Sequence, residues 1–275
     1  MRAKTTKRRI VTATLIVLTV WSLFPIYWIF NTSLKTPGEI YRMDPTFFPE
    51  SPVLSNYKSM LSNQAFLHSV WNSFLVGIIV TAITIVVCVL FSYAVSRMRF
   101  KGSKKLSVGI LYCYLIPKTI LFIPLYNFVA KIGLLNSLWG LILIYPTFTI
   151  PYAAWILIPY IKSIPKEIED AAFIDGCSRG QVLGRIVFPL ALPGIVSTAI
   201  FTFTMCWGEY LYALLLISKK AYKTFPLMIT ELIDADVFAW GPMMAAAIIV
   251  TIPVLVLYMF GSRYIADDLT AGGVK

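Results

Sequence analysis

The chain has 275 residues, 58% of them hydrophobic and 13% charged, with a formal net charge of +11 and a mean hydropathy of +0.77. Uncharged runs of about 20 residues or more have the length of a bilayer crossing, which excludes a soluble domain and defines an all-α polytopic membrane protein. The basic residues fall in short clusters at the ends of apolar runs, so their excess encodes membrane topology and not nucleic-acid binding.

In chain order, Arg2, Lys4, Lys7, Arg8 and Arg9 precede an uncharged run over about 10–33. That run is too long for a signal peptide and lacks a small-residue cleavage site, so it reads as a retained first span. A polar, proline-containing segment from Lys35 to about Ser69 reads as an external cap. Further spans are expected over about 71–95, 106–128, 138–160, 190–217 and 242–262, giving six transmembrane helices in one domain, 1–275. Pro117 and Pro124 lie in the third span, Pro146 and Pro151 in the fourth. In a bilayer, carbonyls freed by proline are tolerated where protein or a wet cavity satisfies them, so these helices are either broken beside a pathway or simply kinked.

Between the fourth and fifth spans lies a polar interruption over 163–189. Ser163 is placed to cap a helix that Pro165 starts, with Glu167, Glu169 and Asp170 in its anion-favouring first turns and Gly176 as its stop. Ser178 and Gln181 then form a capping box for a second helix with Val182, Leu183, Ile186 and Val187 on one face, ended by Pro189. The apolar face of this pair is too small for a domain and calls for completion by another protein.

With six spans, both ends lie on one side. The N-terminal cluster, Arg97, Arg99, Lys101, Lys104, Lys105, Lys162, Lys166, Arg179, Arg185, Arg263 and Lys275 fall on that side. Lys35, Arg42, Lys58, Lys131, Lys219, Lys220 and Lys223 fall on the other, and the asymmetry makes the first side cytoplasmic.

Two ionisable residues sit inside predicted spans, Lys118 and Glu209. Each costs about 2.5 to 3.5 kcal/mol at a helix centre unless a partner or water meets it. Depth counting puts Lys118 near mid-bilayer and Glu209 nearer the outer side, which disfavours a direct pair. Both are candidates for lining a pathway or for bonding neighbouring helices. Trp207, Tyr210 and Tyr212 are suited to stacking on sugar faces and equally to an outer aromatic belt. The four cysteines lack C-x-x-C spacing and the single histidine, His68, is remote from them, so no disulfide framework or zinc site is indicated.

Asp170-Ala171-Ala172, Gly176, Ile186 and Pro189 stand at the spacing E-A-A-x3-G-x9-I-x-L-P. This resembles the EAA loop of membrane subunits of binding-protein-dependent ABC importers, with Asp170 and Phe188 replacing glutamate and leucine. Asn72-Ser73, the run from Ser92 to Arg97, Asn136-Ser137, the run from Gly140 to Leu143, the run from Trp207 to Tyr210 and Leu269 to Lys275 extend the similarity to the carbohydrate branch, the maltose-type partner subunit in particular. Gly208 and Asp268 depart from that pattern.

The resemblance implies a type I ABC importer permease fold in a bacterial or archaeal cytoplasmic membrane, with both termini cytoplasmic. It implies coupling to the ATPase through Glu169, Asp170, Ala171, Ala172, Asp175, Gly176, Ile186 and Pro189, and a sugar pathway near Lys118, Trp207, Glu209 and Tyr210. Implied partners are two ATP-binding cassette subunits, a second permease subunit, an extracytoplasmic solute-binding protein and membrane lipid. No phosphate-loop motif is present, so the chain carries no cofactor of its own, and ATP and Mg are expected on the partner subunits. Alternatives are a permease for glycerol phosphate or amino acids, and a membrane-embedded enzyme using Glu209, Lys118 or His68.

Overall fold

The computed structural model describes residues 2–98, 100–234 and 237–271, with side chains described over 8–98, 100–233 and 239–261. The terminal similarity from Leu269 to Lys275, Asp268, and the basic residues Arg2, Lys4, Lys7, Arg99, Arg263 and Lys275 therefore lie outside the described side chains.

The described residues are built from helices, with one antiparallel pair of short strands, β1 (Ile233–Asp234) and β2 (Val237–Phe238). Two compact units are distinguished, one formed by 1–67 with 228–252 and the other by 68–227 with 253–275.

In the first unit, α1 (Arg2–Ser33) is a long apolar helix whose membrane-length window buries no residue against the rest of the chain. The external cap contains α2 (Pro37–Ile40) and α3 (Ser55–Ser62). Buried Glu39 organises it: Oε1 accepts from the Thr46 hydroxyl at 2.5 Å and from Glu50 N at 3.1 Å. Buried Lys35 donates to the Thr46 carbonyl, and Asn56 Nδ2 donates to the carbonyls of Ser33 (2.9 Å) and Lys35 (3.1 Å). The Thr46 hydroxyl bond, reinforced by the Glu50 amide and by nearby Lys35 and Arg42, outweighs burial and holds the Glu39 carboxyl below the usual carboxylate range.

The second unit carries most of the core. Helix α4 (Gln64–Arg97) starts seven residues before the expected span. The expected third span is broken: α5 (Ser103–Leu115) is followed by a 3-10 turn (Lys118–Leu121) and α6 (Phe122–Lys131), and the two arms differ in direction by 89°. Pro117 is the cause, because proline disfavours helix at the preceding residue, and Ile116 is extended with ψ 121. The fourth span is formed by α7 (Leu138–Ile144) and α8 (Pro146–Ser163).

Next come α9 (Lys166–Ile174), α10 (Arg179–Val182), a π-helical turn (Leu183–Val187) and α11 (Phe188–Trp207). The expected fifth span ends early, at Trp207, and resumes as α12 (Leu211–Leu216). Helix α13 (Phe225–Thr230) follows, and the last helix is α14 (Trp240–Ala271). By length and composition, the described residues hold five membrane-crossing helices, or six if the bent α5–α6 pair is one span.

Candidate functional site

The loop after α8 departs from expectation at both ends. Ser163 belongs to α8 and its hydroxyl donates to the Tyr160 carbonyl at 2.7 Å, so Pro165 occupies the cap position of α9. Pro189 does not end the second helix either. It lies inside the continuous 29-residue span from Arg179 to Trp207, directly after the π-helical turn Leu183–Val187, where the regular hydrogen-bond ladder is already interrupted. The central features follow the sequence reading. Gly176 has φ +84, and the amides of Gly176 and Cys177 donate to the Phe173 (3.1 Å) and Ala172 (3.0 Å) carbonyls, closing α9 through a left-handed turn. Ser178 N donates to Gln181 Oε1 at 2.7 Å and Gln181 N to Ser178 Oγ at 3.4 Å, which is the capping box.

The two faces of this pair differ. Glu169 and Ala172 are buried, and Ala172 joins Tyr93, Ile161, Ile164, Val182 and Val187 in an apolar cluster. Glu169 Oε1 accepts from Arg97 Nε at 2.5 Å, and both side chains are less than 10% exposed, at 5% and 7%. Arg97 also donates through Nη2 to the carbonyls of Ile161 (2.8 Å) and Ile164 (2.7 Å) at the end of α8, where the Ile161 carbonyl also accepts from Ile164 N at 3.3 Å. One guanidinium thus ties the end of α4 to the end of α8 and to α9. Its planar fork suits this task, since it serves a carboxylate and two carbonyls at once. Asp170, Ala171, Ile174, Asp175 and Gly176 are exposed; Ile186 is half-buried against the cluster, and Pro189 is exposed. In the sequence Arg97 is one of several cytoplasmic charges. The signal that singles it out is its place at the end of the run from Ser92, on the last turn of a span.

The intramembrane charges meet, contrary to the depth count. Lys118 Nζ lies 3.5 Å from Glu209 Oε1. Glu209 sits in the break between α11 and α12, and its Oε2 accepts from the amides of Tyr212 (2.9 Å) and Ala213 (3.3 Å) and from the Tyr145 hydroxyl (3.3 Å). The carboxylate therefore caps α12 and favours an interruption that apolar periodicity did not reveal. The Tyr212 hydroxyl donates to the Lys118 carbonyl at 2.7 Å, using an acceptor freed at the bend of the third span. Depth counting failed because it assumed straight helices. Tyr145 gave no signal, being one aromatic in an apolar run.

Lys118 and Glu209 face different surroundings. The Glu209 side chain is 1% exposed, whereas that of Lys118 is 45% exposed and lies 5.5 Å above the Phe148 ring. Lys118 lines a cavity of about 410 Å³ together with Cys113, Tyr114, Pro117, Phe148 and Met205. Trp207 does not line it. That ring is buried between Phe203 (5.4 Å, stacked) and Phe225 (4.8 Å). Tyr210 is half-buried against the second apolar cluster, with Val129, Tyr145 and Ala213. Of the four expected pathway residues, Lys118 alone borders this cavity.

The helical scaffold, the capped loop and the paired membrane charges define a membrane-embedded subunit, and similarity gives its family. The model for the inner membrane component of binding-protein-dependent transport systems matches residues 89–270, and the chain belongs to that family. It is a permease subunit and not an enzyme. The chain is 36% identical over 259 residues to the sulfoquinovosyl glycerol transport system permease protein SmoH of Agrobacterium fabrum, covering 94% of this chain and 91% of that one. It is 33% identical over 262 residues to the diacetylchitobiose uptake system permease protein DasC of Streptomyces coelicolor, covering 95% of each. It is 32% identical over 284 residues to the trehalose/maltose transport system permease protein MalG of Thermococcus litoralis, covering 100% of this chain and 99% of that one. The fold matches a chain of a bacterial ABC transporter that imports the acidic polysaccharide alginate, with a TM-score of 0.84 at 20% identity over 96% of this chain and 98% of that one.

Proposed function

We propose that this chain is one of two permease subunits of an ATP-driven importer that takes a saccharide from an extracytoplasmic binding protein. Two ATP-binding cassette subunits, which hold ATP and Mg, act on the cytoplasmic loop over 163–189. Relatives named for diacetylchitobiose, trehalose/maltose and sulfoquinovosyl glycerol transport support the saccharide class over amino acids or glycerol phosphate. The observation that carries the coupling role is the two-faced α9: Arg97 anchors Glu169 inward, while Asp170, Ala171, Ile174, Asp175 and Gly176 are exposed for a partner.

Mechanistically, closure of the ATPase pair would displace α9, and the Arg97 clamp would pass that displacement to the ends of α4 and α8. The continuous run from Arg179 to Trp207 would carry it into the fifth span. The saccharide would pass beside Lys118 in the cavity floored by the bend of the third span. The test is uptake by proteoliposomes holding all subunits: accumulation should require ATP and the loaded binding protein. Turnover of a substrate by this chain alone would overturn the proposal.

A further inference from the structure

We propose that the transported saccharide carries an acidic group, a carboxylate or sulfonate on the sugar, and that Lys118 determines specificity for it. This rests on the pathway reading above and narrows its substrate class. Among the described residues lining the cavity, Lys118 holds the one full charge. Among the described residues its carboxylate partner is Glu209, which does not share the cavity: Glu209 is 1% exposed, and its Oε2 is occupied by two amides and a tyrosine hydroxyl. The remaining contact, Lys118 Nζ to Oε1, is long at 3.5 Å, and the lysine side chain is 45% exposed. The pair is therefore a dipole with its positive end in the cavity. A fixed ammonium there attracts anions and repels cations, whereas a neutral sugar needs only uncharged donors and acceptors. Tyr114 borders the same space and is exposed, supplying apolar ring surface for the pyranose, so the class is an acidic saccharide and not a small inorganic anion.

Cys113 lines this cavity and is exposed, while Cys88 and Cys206 are buried. It serves as a native reporter in the complete reconstituted complex, in a Cys177→Ser background. Labelling rates are compared for an anionic thiol reagent, 2-sulfonatoethyl methanethiosulfonate, and its cationic trimethylammonium counterpart. The anionic-to-cationic rate ratio should fall about tenfold in Lys118→Gln and persist in Lys118→Arg. Digalacturonate should slow labelling of the wild type more than maltose at equal concentration. A ratio unchanged by Lys118→Gln, or equal protection by the two sugars, overturns the acidic-saccharide inference and leaves the pathway reading standing. A Cys113 inert to both reagents in every nucleotide state removes the cavity from the water path and sinks both. Should Lys118→Gln fail to assemble, the wild-type ratio is followed as salt rises from about 50 mM to about 500 mM, where it should decline by screening. A salt-independent ratio overturns the inference.

Discussion

Glu169 and Glu209 are both carboxylates withdrawn from water, and they are compensated differently. Glu169 has a guanidinium at 2.5 Å that also serves two backbone carbonyls. Arg97→Ala would strand a buried carboxylate and take a donor from two helix-end carbonyls, at a cost of about 3 to 5 kcal/mol. Thermal unfolding of the solubilised complex should register that loss. The double change Arg97→Met with Glu169→Leu should be clearly milder, because it removes both charges together. Glu209 depends less on its cation, having three donors on Oε2 and a single long contact on Oε1. Glu209→Gln keeps one acceptor but loses the charge that caps α12. Detergent stability is expected to fall by about 1 to 3 kcal/mol before uptake by the assembled complex changes. Lost uptake with unchanged stability would instead make Glu209 a group that the sugar touches.

The element that concentrates function is α9 with its left-handed turn. At Gly176, φ +84 is strained for any residue with a Cβ, although nothing within 4 Å would block one. Gly176→Leu should cost about 1 kcal/mol locally and more in docking, since it puts a bulky group on the exposed face. Insertion should persist while ATPase co-purification or coupled transport declines, and normal transport with ATPases bound would remove the loop from the coupling role. This element was legible because its signals are local: a glycine stop, a Ser178–Gln181 box and an interrupted hydropathy pattern. The short polar pieces noted in the sequence also acquire physical reasons. Asn72 Nδ2 donates to the carbonyls of Ala221 (2.9 Å) and Lys223 (3.0 Å), and Ser73 Oγ accepts from Phe225 N at 2.9 Å. Asn136, at φ 56, accepts from the amides of Ser218 (2.5 Å) and Lys219 (2.9 Å). Their partners lie at least 82 positions away in sequence, so spacing alone gave the residues without their task. The external cap is likewise an element with its own test. A depressed Glu39 carboxyl contributes stability above the usual carboxylate range and loses it as pH falls through the folded value. Amide exchange over 37–50, corrected for intrinsic rate, should accelerate below that range, and Glu39→Gln should show no such pH step.

For the whole molecule, sidedness turns on the bent α5–α6 pair. If it crosses, six spans put the N-terminal basic cluster, the 101–105 cluster and the 163–189 loop on one side. If it re-enters, five spans put the loop opposite the N-terminus, away from the nucleotide if the N-terminus is cytoplasmic. Helix α5 has 13 residues and α6 has 10, arms of about 20 and 15 Å. Even at 89° their ends lie about 25 Å apart before the connecting 3-10 turn is counted, close to the ~30 Å hydrocarbon thickness. Charge agrees with crossing, since re-entry would place six basic residues, Lys162, Lys166, Arg179, Arg185, Arg263 and Lys275, outside and bring only four, Lys131, Lys219, Lys220 and Lys223, inside. A crossing pair also puts its bend, and with it Lys118, near mid-membrane, where a cavity supplies the solvation that an ammonium requires. Single cysteines at 105, 131, 219 and 275 in a background lacking Cys113 and Cys177, and native Cys177 in a background lacking Cys113, should divide under an impermeant thiol reagent applied to right-side-out vesicles. Positions 131 and 219 should label from outside, whereas 105, 177 and 275 should label only after permeabilisation. External labelling of position 275 would exclude the six-span arrangement, and external labelling of Cys177 would separate the loop from the ATPases that the proposed mechanism requires it to meet.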